Sequence, residues 1–587
     1  MKITVDKKLP KKIILLLIGV VLVITLIYII ADLGSPSTKK ANLAELYSAE
    51  EGSMAIVANG KLTNVRAINK DGKIYVRLGI LTDQINSKFF YETTDKVLYY
   101  TSPTEIIEAR AKDTFEGAKI FFDSTETANE PFIPDESDAK KETVAVEKTL
   151  TTDERIYVLL PYIAKYTNIS YKVYDNPSRI LIRSKFGECE TGYADGGTAV
   201  RTNPNKKSEV VTQLGGGTKI WIVASKDGWS LVCDEENGFS GYIESSDITK
   251  KEKEQVDSVF TEPEYKYNKL NGKVNLVWHQ TLSRSGTDEF KSQISKTQGV
   301  NVISPTWFSV VSSDGDIESR ASHEYVEYAQ SRGLKVWALV ENFNTDNTLD
   351  YAALLGTKKS RTRMIETLIT KALEYNIDGI NVDFEGLPAS AGKGYVQFIR
   401  ELAIKCRKNN LFITVDCYVP SAWTQHYHRK DLAEVADYLI IMAYDEHYEG
   451  SEAGSTSSLP FVQNAIEDTL AEGVDKEQFV CGIPFYGRIW RGEGMSIKTE
   501  ALGMDQMAKY MSENPNDTSW DETLGQYVID MGDKNDPVRI WVEDEQSLTL
   551  KLDEIFDKKL AGVAGWKLGK DNSGAWSAIS EYLRKAY

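Results

Sequence analysis

Histidine and cysteine are scarce in this chain, with five of each in 587 residues. Cys189, Cys233, Cys406, Cys417 and Cys481 are too few and too scattered for a disulfide framework or a zinc cluster. Cys189 and Cys233 fall in one short segment and could pair, which an extracellular setting would permit. The histidines lack metal-ligand spacing, and His426 and His428 read as part of a polar loop. Basic blocks are also missing beyond the first dozen residues, and the formal net charge is −17. A nucleic-acid partner is excluded on that ground. Long apolar runs are absent with one exception, Ile13 to Ala31, which has about the ~20 residues a helix needs to span a bilayer. Lys2, Lys7, Lys8, Lys11 and Lys12 precede it, and no A-x-A-like cleavage site follows. Residues 1–31 thus read as a cytoplasmic stub and a transmembrane signal anchor. The N-terminus would lie inside and everything after the linker 32–50 on the extracellular face of the cell membrane.

What is present is a chain long enough for several domains. An internal repeat comes first. Asp71-Gly-Lys-Ile-Tyr-Val-Arg-Leu aligns with Asp153-Glu-Arg-Ile-Tyr-Val-Leu-Leu, and Leu98-Tyr-Tyr-Thr-Ser aligns with Ile180-Leu-Ile-Arg-Ser. Each copy reads as strand, short helix, then one or two strands, with the acidic stretch Thr125 to Glu142 as the joining loop. This pattern resembles the copper-amine-oxidase N-terminal-like domain of bacterial surface proteins, over residues 51–185. The region has no histidine to ligate copper, so a binding or spacing module is expected. Residues 186–250 are short, strand-rich and punctuated by glycine. They resemble the bacterial SH3-like domain, which implies a wall peptide or glycan as ligand. Trp221, Trp229 and Tyr242 are either groove or barrel core. Residues 251–272 are polar linker.

From residue 273 to the end, apolar runs alternate with helical patterns. The runs are Val274–Trp278, Val300–Ile303, Leu334–Val340, Gly379–Phe384, Phe412–Cys417, Tyr438–Ala443, Phe479–Ile483 and Gly562–Trp566. Eight such runs point to a (β/α)8 barrel, an α/β fold in which chemistry sits at the C-terminal strand ends. Those ends are polar here: His279-Gln280, Thr306-Trp307, Glu341-Asn342, Asp383 to Glu385, Asp416 to Tyr418, Tyr444-Asp445, Tyr486 to Arg488 and Trp566-Lys567. The fourth run is the most informative. Ile380, Val382 and Phe384 alternate with Asn381, Asp383 and Glu385, so two carboxylates and an amide share one strand face. That arrangement is costly unless the groups are used or tightly paired.

Four motifs in this order carry a resemblance. Asp378-Gly-Ile-Asn-Val-Asp-Phe-Glu385 resembles the D-G-x-D-x-D-x-E signature of glycoside hydrolase family 18. Met442-Ala-Tyr-Asp445, Gly482-Ile-Pro-Phe-Tyr-Gly-Arg488 and Gly562-Val-Ala-Gly-Trp-Lys-Leu-Gly569 resemble that family's motifs at strands six, seven and eight. Within the family, residues 301–308, Asn381 and residues 442–454 look like the spore-cortex-type peptidoglycan N-acetylglucosaminidases. The resemblance implies substrate-assisted hydrolysis, in which the sugar's own 2-acetamido group is the nucleophile, so that no metal and no organic cofactor is implied. Glu385 would then be the proton donor and later the base. Asp383 would orient the acetamide N–H, and its charge would raise the pKa of Glu385. Tyr444 would hold the acetamide carbonyl. Trp566 would be the floor under the −1 sugar, with Asn381, Asp445, Arg488, Tyr486 and Trp307 as further substrate contacts. Asn381 stands where the family's second Asp is usual, which removes one member of a carboxylate relay. Asp378 reads as a strand-entry residue. Cell-wall peptidoglycan is the expected substrate, chitin oligomers the alternative, and a wall-binding lectin the non-catalytic one.

Overall fold

Eight apolar runs separated by helices satisfy their backbone hydrogen bonds by pairing side by side, and a sheet closed on itself leaves no edge. That arrangement is found in the computed structural model, which describes residues 35–47, 52–113, 120–122, 141–146, 156–282, 286–343, 348–494, 497–533 and 536–586. The barrel strands are β1 (Val274–His279), β2 (Val302–Val310), β3 (Lys335–Glu341), β4 (Gly379–Asp383), β5 (Phe412–Tyr418), β6 (Tyr438–Met442), β7 (Phe479–Pro484) and β8 (Gly562–Trp566). All neighbours pair in parallel, and β1 closes the ring by bonding both β2 and β8. Each of the eight runs expected from the sequence is one of these strands, although β2 extends to Val310.

The strands are buried on both faces, as a parallel sheet covered by helices requires. Leu276, Trp278, Trp337, Leu339 and Ile440 fill the barrel interior. The opposite faces pack against helices that include α1 (Lys358–Glu374) and α2 (Gly392–Lys408), on either side of β4 in sequence. Gly379 opens β4 because nothing larger fits: a Cβ there would meet Phe412 Cβ at 2.6 Å and Phe412 O at 2.9 Å. Asp378 does serve strand entry, accepting from Val336 N at 3.0 Å and pairing with Lys335 at 2.8 Å.

Between β7 and β8 the chain leaves the barrel and builds a five-stranded antiparallel sheet with the helix Met504–Glu513. The sequence reading treated Tyr486 to Arg488 as the end of β7. In fact Tyr486 starts a new strand, Tyr486–Arg491, which pairs with Lys498–Gly503.

The two repeat copies have matching elements. The first runs strand Lys73–Arg77, a helical stretch from Leu78, then strands Phe89–Glu92 and Val97–Thr101. The second runs strand Ile156–Leu159, helix Leu160–Lys165, then strands Ser170–Tyr174 and Arg179–Arg183. Their leading strands pair antiparallel, Val76 opposite Val158. The closing hairpins differ. The second copy's joins the same sheet as the leading strands, whereas the first copy's belongs to another sheet and groups with the barrel. There Thr101 and Gln397 of α2 exchange a hydrogen bond at 2.9 Å. Arg361 of α1 is fully buried beneath the hairpin. It binds Glu401 at 3.0 Å, has Glu92 at 3.8 Å, and lies over the Phe90 ring at 5.1 Å.

The remaining module, from Gly187 to Val256, is a seven-stranded antiparallel sheet. Trp221 is core there, with the Arg183 guanidinium 4.1 Å above its ring. Cys189 and Cys233 are free thiols. The strand Lys219–Lys226 pairs with both of their strands and so stands between them. The expected membrane helix lies outside the described residues; among these, no helix is long and apolar enough to cross a membrane.

Arg361→Met would leave the buried Glu401 and Glu92 without their cation, at a cost of about 3–5 kcal/mol. Equilibrium denaturant unfolding, followed by tryptophan fluorescence, would show a correspondingly lower midpoint.

Candidate active site

The polar strand ends converge on one cleft of about 890 Å3 at the C-terminal mouth of the barrel. Asp383, Glu385, Tyr444, Asp445 and Trp566 all line it. Asn381 lies beneath the floor, fully buried. Tyr486 and Arg488 stand one layer back: the Tyr486 hydroxyl donates to Asp445 Oδ1 at 2.5 Å, and Arg488 approaches the same carboxylate at 3.9 Å. Trp307 does not belong to the site. Its ring packs edge-on against Tyr325 in the layer between strands and helices and is 1% exposed, because β2 turns that residue outward.

Glu385 follows directly on β4, half-buried at the mouth. Its backbone is clamped by Asn342, whose side-chain oxygen accepts from Glu385 N at 2.8 Å and whose amide donates to Glu385 O at 2.7 Å. Its carboxylate accepts from the Tyr418 hydroxyl at 2.6 Å. Burial raises the pKa of Glu385 first, and the charges of Asp445 and Glu341 add to it; the Tyr418 bond pulls the other way. The sequence reading attributed that elevation to Asp383. The structure instead shows Asp383 itself held well above the usual carboxylate range, by burial and then by Glu385, Asp416 and Glu341. A carboxylate this deep cannot serve as an unconditional negative charge.

The Asn381 amide is fixed by donors of known identity. Trp278 Nε1–H and Ser304 Oγ–H both donate to Asn381 Oδ1, at 3.1 and 2.8 Å. The indole nitrogen is donor only, which settles the amide orientation. Asn381 Nδ2 then donates to Asp416 Oδ1 at 2.8 Å. Trp278 forms the wall shared by Trp566 and Tyr444, edge-to-face with both, at centroid distances of 5.8 and 6.3 Å. An apolar wall opposite convergent polar groups suits a sugar ring, which presents both kinds of surface.

Asp416, Glu341, Tyr418 and Asn342 are site residues to which sequence reasoning assigned no role. Each was visible as a polar residue ending an apolar run. Their function depends on neighbours from other strands, which no local pattern encodes.

With this geometry in hand, comparison with known proteins is direct. The model of glycosyl hydrolases family 18 matches residues 277–571, half of the chain. The chain belongs to that family. A bacterial SH3 domain model matches residues 196–249. The family 18 chain is similar to the uncharacterized glycosylase YvbX of Bacillus subtilis, 25% identical over 45% of this chain and 80% of the relative. It is also similar to the cortical fragment-lytic enzyme of Bacillus subtilis, 25% identical over 39% of this chain and 55% of the relative. A third relative is endochitinase 1 of Metarhizium anisopliae, 25% identical over 40% of this chain and 62% of the relative. The chain is thus a family 18 glycosidase related to spore-cortex-lytic enzymes and to chitinases.

Because the Tyr418 bond favours the ionised form of Glu385, Tyr418→Phe would raise the Glu385 pKa further. The alkaline limb of the kcat/KM profile, where a general acid is lost, would move up by about one pH unit. Initial rates on a soluble N-acetylglucosamine oligomer between pH 4 and 10 would measure the displacement.

Proposed function

We propose that this family 18 enzyme hydrolyses β-1,4 bonds of N-acetylglucosamine in peptidoglycan, with retention and with the substrate's acetamide as nucleophile. The observation that carries the reading is the pairing of a half-buried acid at the mouth, Glu385, with a fully enclosed carboxyl two residues earlier, Asp383, beside the Tyr444 hydroxyl. Glu385 has its pKa raised, so it is suited to protonate the leaving oxygen and then to deprotonate the attacking water. Asp383 is suited to bind the acetamide N–H and to face the positive oxazolinium. Tyr444, whose burial keeps its hydroxyl protonated, is suited to hold the acetamide carbonyl for in-line attack. Trp566 and Trp278 supply the apolar floor.

Wall glycan as substrate is supported by the cortex-lytic relative, the SH3 domain and the N-terminal apolar run, which would hold the enzyme on the outer face of the membrane next to its polymer. The SH3 domain would bind wall peptide or glycan, and the repeat domain would act as a binding or spacing module. Chitin oligomers are the second reading, favoured by the chitinase relative.

Glu385→Gln, in a soluble protein beginning near Asn42, is expected to lower hydrolysis at least about a thousandfold while leaving thermal unfolding unchanged. Mass spectrometry of digested peptidoglycan would find new reducing-end N-acetylglucosamine with the parent alone. Reducing-end N-acetylmuramic acid would overturn the bond assignment. Products from chitin oligomers but none from the wall would transfer the assignment to chitin.

A further inference from the structure

Strand pairing puts a second carboxylate beside Asp383. The register of β4 on β5 runs Asn381 opposite Thr414 and Val382 opposite Val415, so the next pair is Asp383 with Asp416. Laterally paired residues of parallel strands point the same way, about 4.8 Å apart along the sheet. Asp383 and Asp416 are 6% and 1% exposed, and both line the cleft. Asp383 Oδ1 and Asp416 Oδ2 are both buried without a hydrogen-bond partner. Two carboxylates at neighbouring positions of paired strands, each with an unpartnered oxygen, repel unless one of them holds a proton.

The Asn381 amide decides where that proton goes. Its Nδ2 hydrogen occupies Asp416 Oδ1, so Oδ1 is an acceptor and a proton on Asp416 must be carried by Oδ2. We propose that Asp416 is a positioning residue that keeps one shared proton on Oδ2 and donates a hydrogen bond from it to the ionised Asp383, so that Asp383 carries the negative charge required of it during hydrolysis. This deepens the role of Asp383 given above and rests on it. No bond other than O–H is made or broken: the pair has one proton in total, and its movement from Asp383 to Asp416 leaves the net charge unchanged. The carboxylate missing at Asn381 is thereby replaced from the neighbouring strand. Other groups facing the pair are Glu385 on its own segment, Glu341 at the end of β3, Tyr444 after β6 and Tyr395 of α2. Among the described residues, no lysine or arginine pairs with either member. Burial raises both carboxyls, Asp383 well above the usual carboxylate range and Asp416 to about 8, with the hydrogen bond from Asn381 pulling Asp416 back down.

Two variants separate this role from packing. Asp416→Leu keeps the volume and removes the donor, so Asp383 must ionise alone. The acid limb of kcat should move up by about one pH unit, so that well down that limb the activity falls about tenfold below the parent's at the same pH. Asp416→Asn keeps a donor, and its acid limb should coincide with the parent's. Acid limbs of all three proteins that differ only by a constant factor at every pH would overturn the proposal. A second readout uses no substrate and does not depend on which glycan is cleaved. Infrared spectra of ligand-free Glu385→Gln and Glu385→Gln/Asp416→Asn at pH 7 should differ by the loss of a protonated-carboxyl band in the double variant. A difference that instead shows loss of an ionised carboxylate would place the proton on Asp383 and overturn the proposal, even if the glycosidase assignment stands.

Discussion

Asp383 and Asp416 follow the last paired residues of the ladder between β4 and β5, which holds both carboxyls almost wholly buried at the base of the cleft. No charge of opposite sign pairs with them among the described residues, so the energy of keeping them there has to come from elsewhere in the fold. It comes from the barrel. Continuous parallel pairing around eight strands fixes each strand end to within a residue. The apolar interior beneath, with Trp278, Trp337 and Leu339, makes a shift of one strand against its neighbour prohibitively costly. The Asn381 amide then converts that rigidity into chemistry. Its carbonyl is saturated by Trp278 and Ser304, leaving its N–H to define which oxygen of Asp416 is free.

The same reasoning accounts for the mouth. Glu385 is one step higher than Asp383 on the same face, partly wet, and braced by Asn342 and Tyr418 from the strands on either side. Two carboxyls two residues apart thus meet different environments: the upper one stands half-buried at the mouth, the lower one is almost wholly buried. Asp445 and Glu341 add negative charge around Glu385, which together with burial raises its pKa. Away from the cleft, the buried Arg361 ties a hairpin that lies far back in the sequence onto α1 and α2, the helices before and after β4.

Much of this was legible beforehand, because it follows from local pattern. Strands buried on both faces must be apolar throughout, and so all eight barrel strands showed as runs. Period-two alternation put Asn381, Asp383 and Glu385 on one face, and four spaced motifs carried the family. The repeat was legible as well, down to the strand, helix and hairpin of each copy. The sheet inserted after β7 was not. It begins at Tyr486 within a motif that otherwise looks like a strand end, and its short half-exposed strands, such as Thr518–Asp521, carry no strong period.

The sequence by itself determined the barrel, its order of strands and the face shared by Asn381, Asp383 and Glu385, since these depend on which residue types recur at which spacing. Only the tertiary structure decided which groups meet. Trp307 and Trp278 are both buried in barrel strands, yet one packs toward the helices and the other faces the interior and holds Asn381, because β2 and β1 present them to opposite layers. Asp416 is 33 residues from Asp383 in the chain and beside it in the barrel. That proximity is set by strand register, a property of two segments jointly and of neither alone.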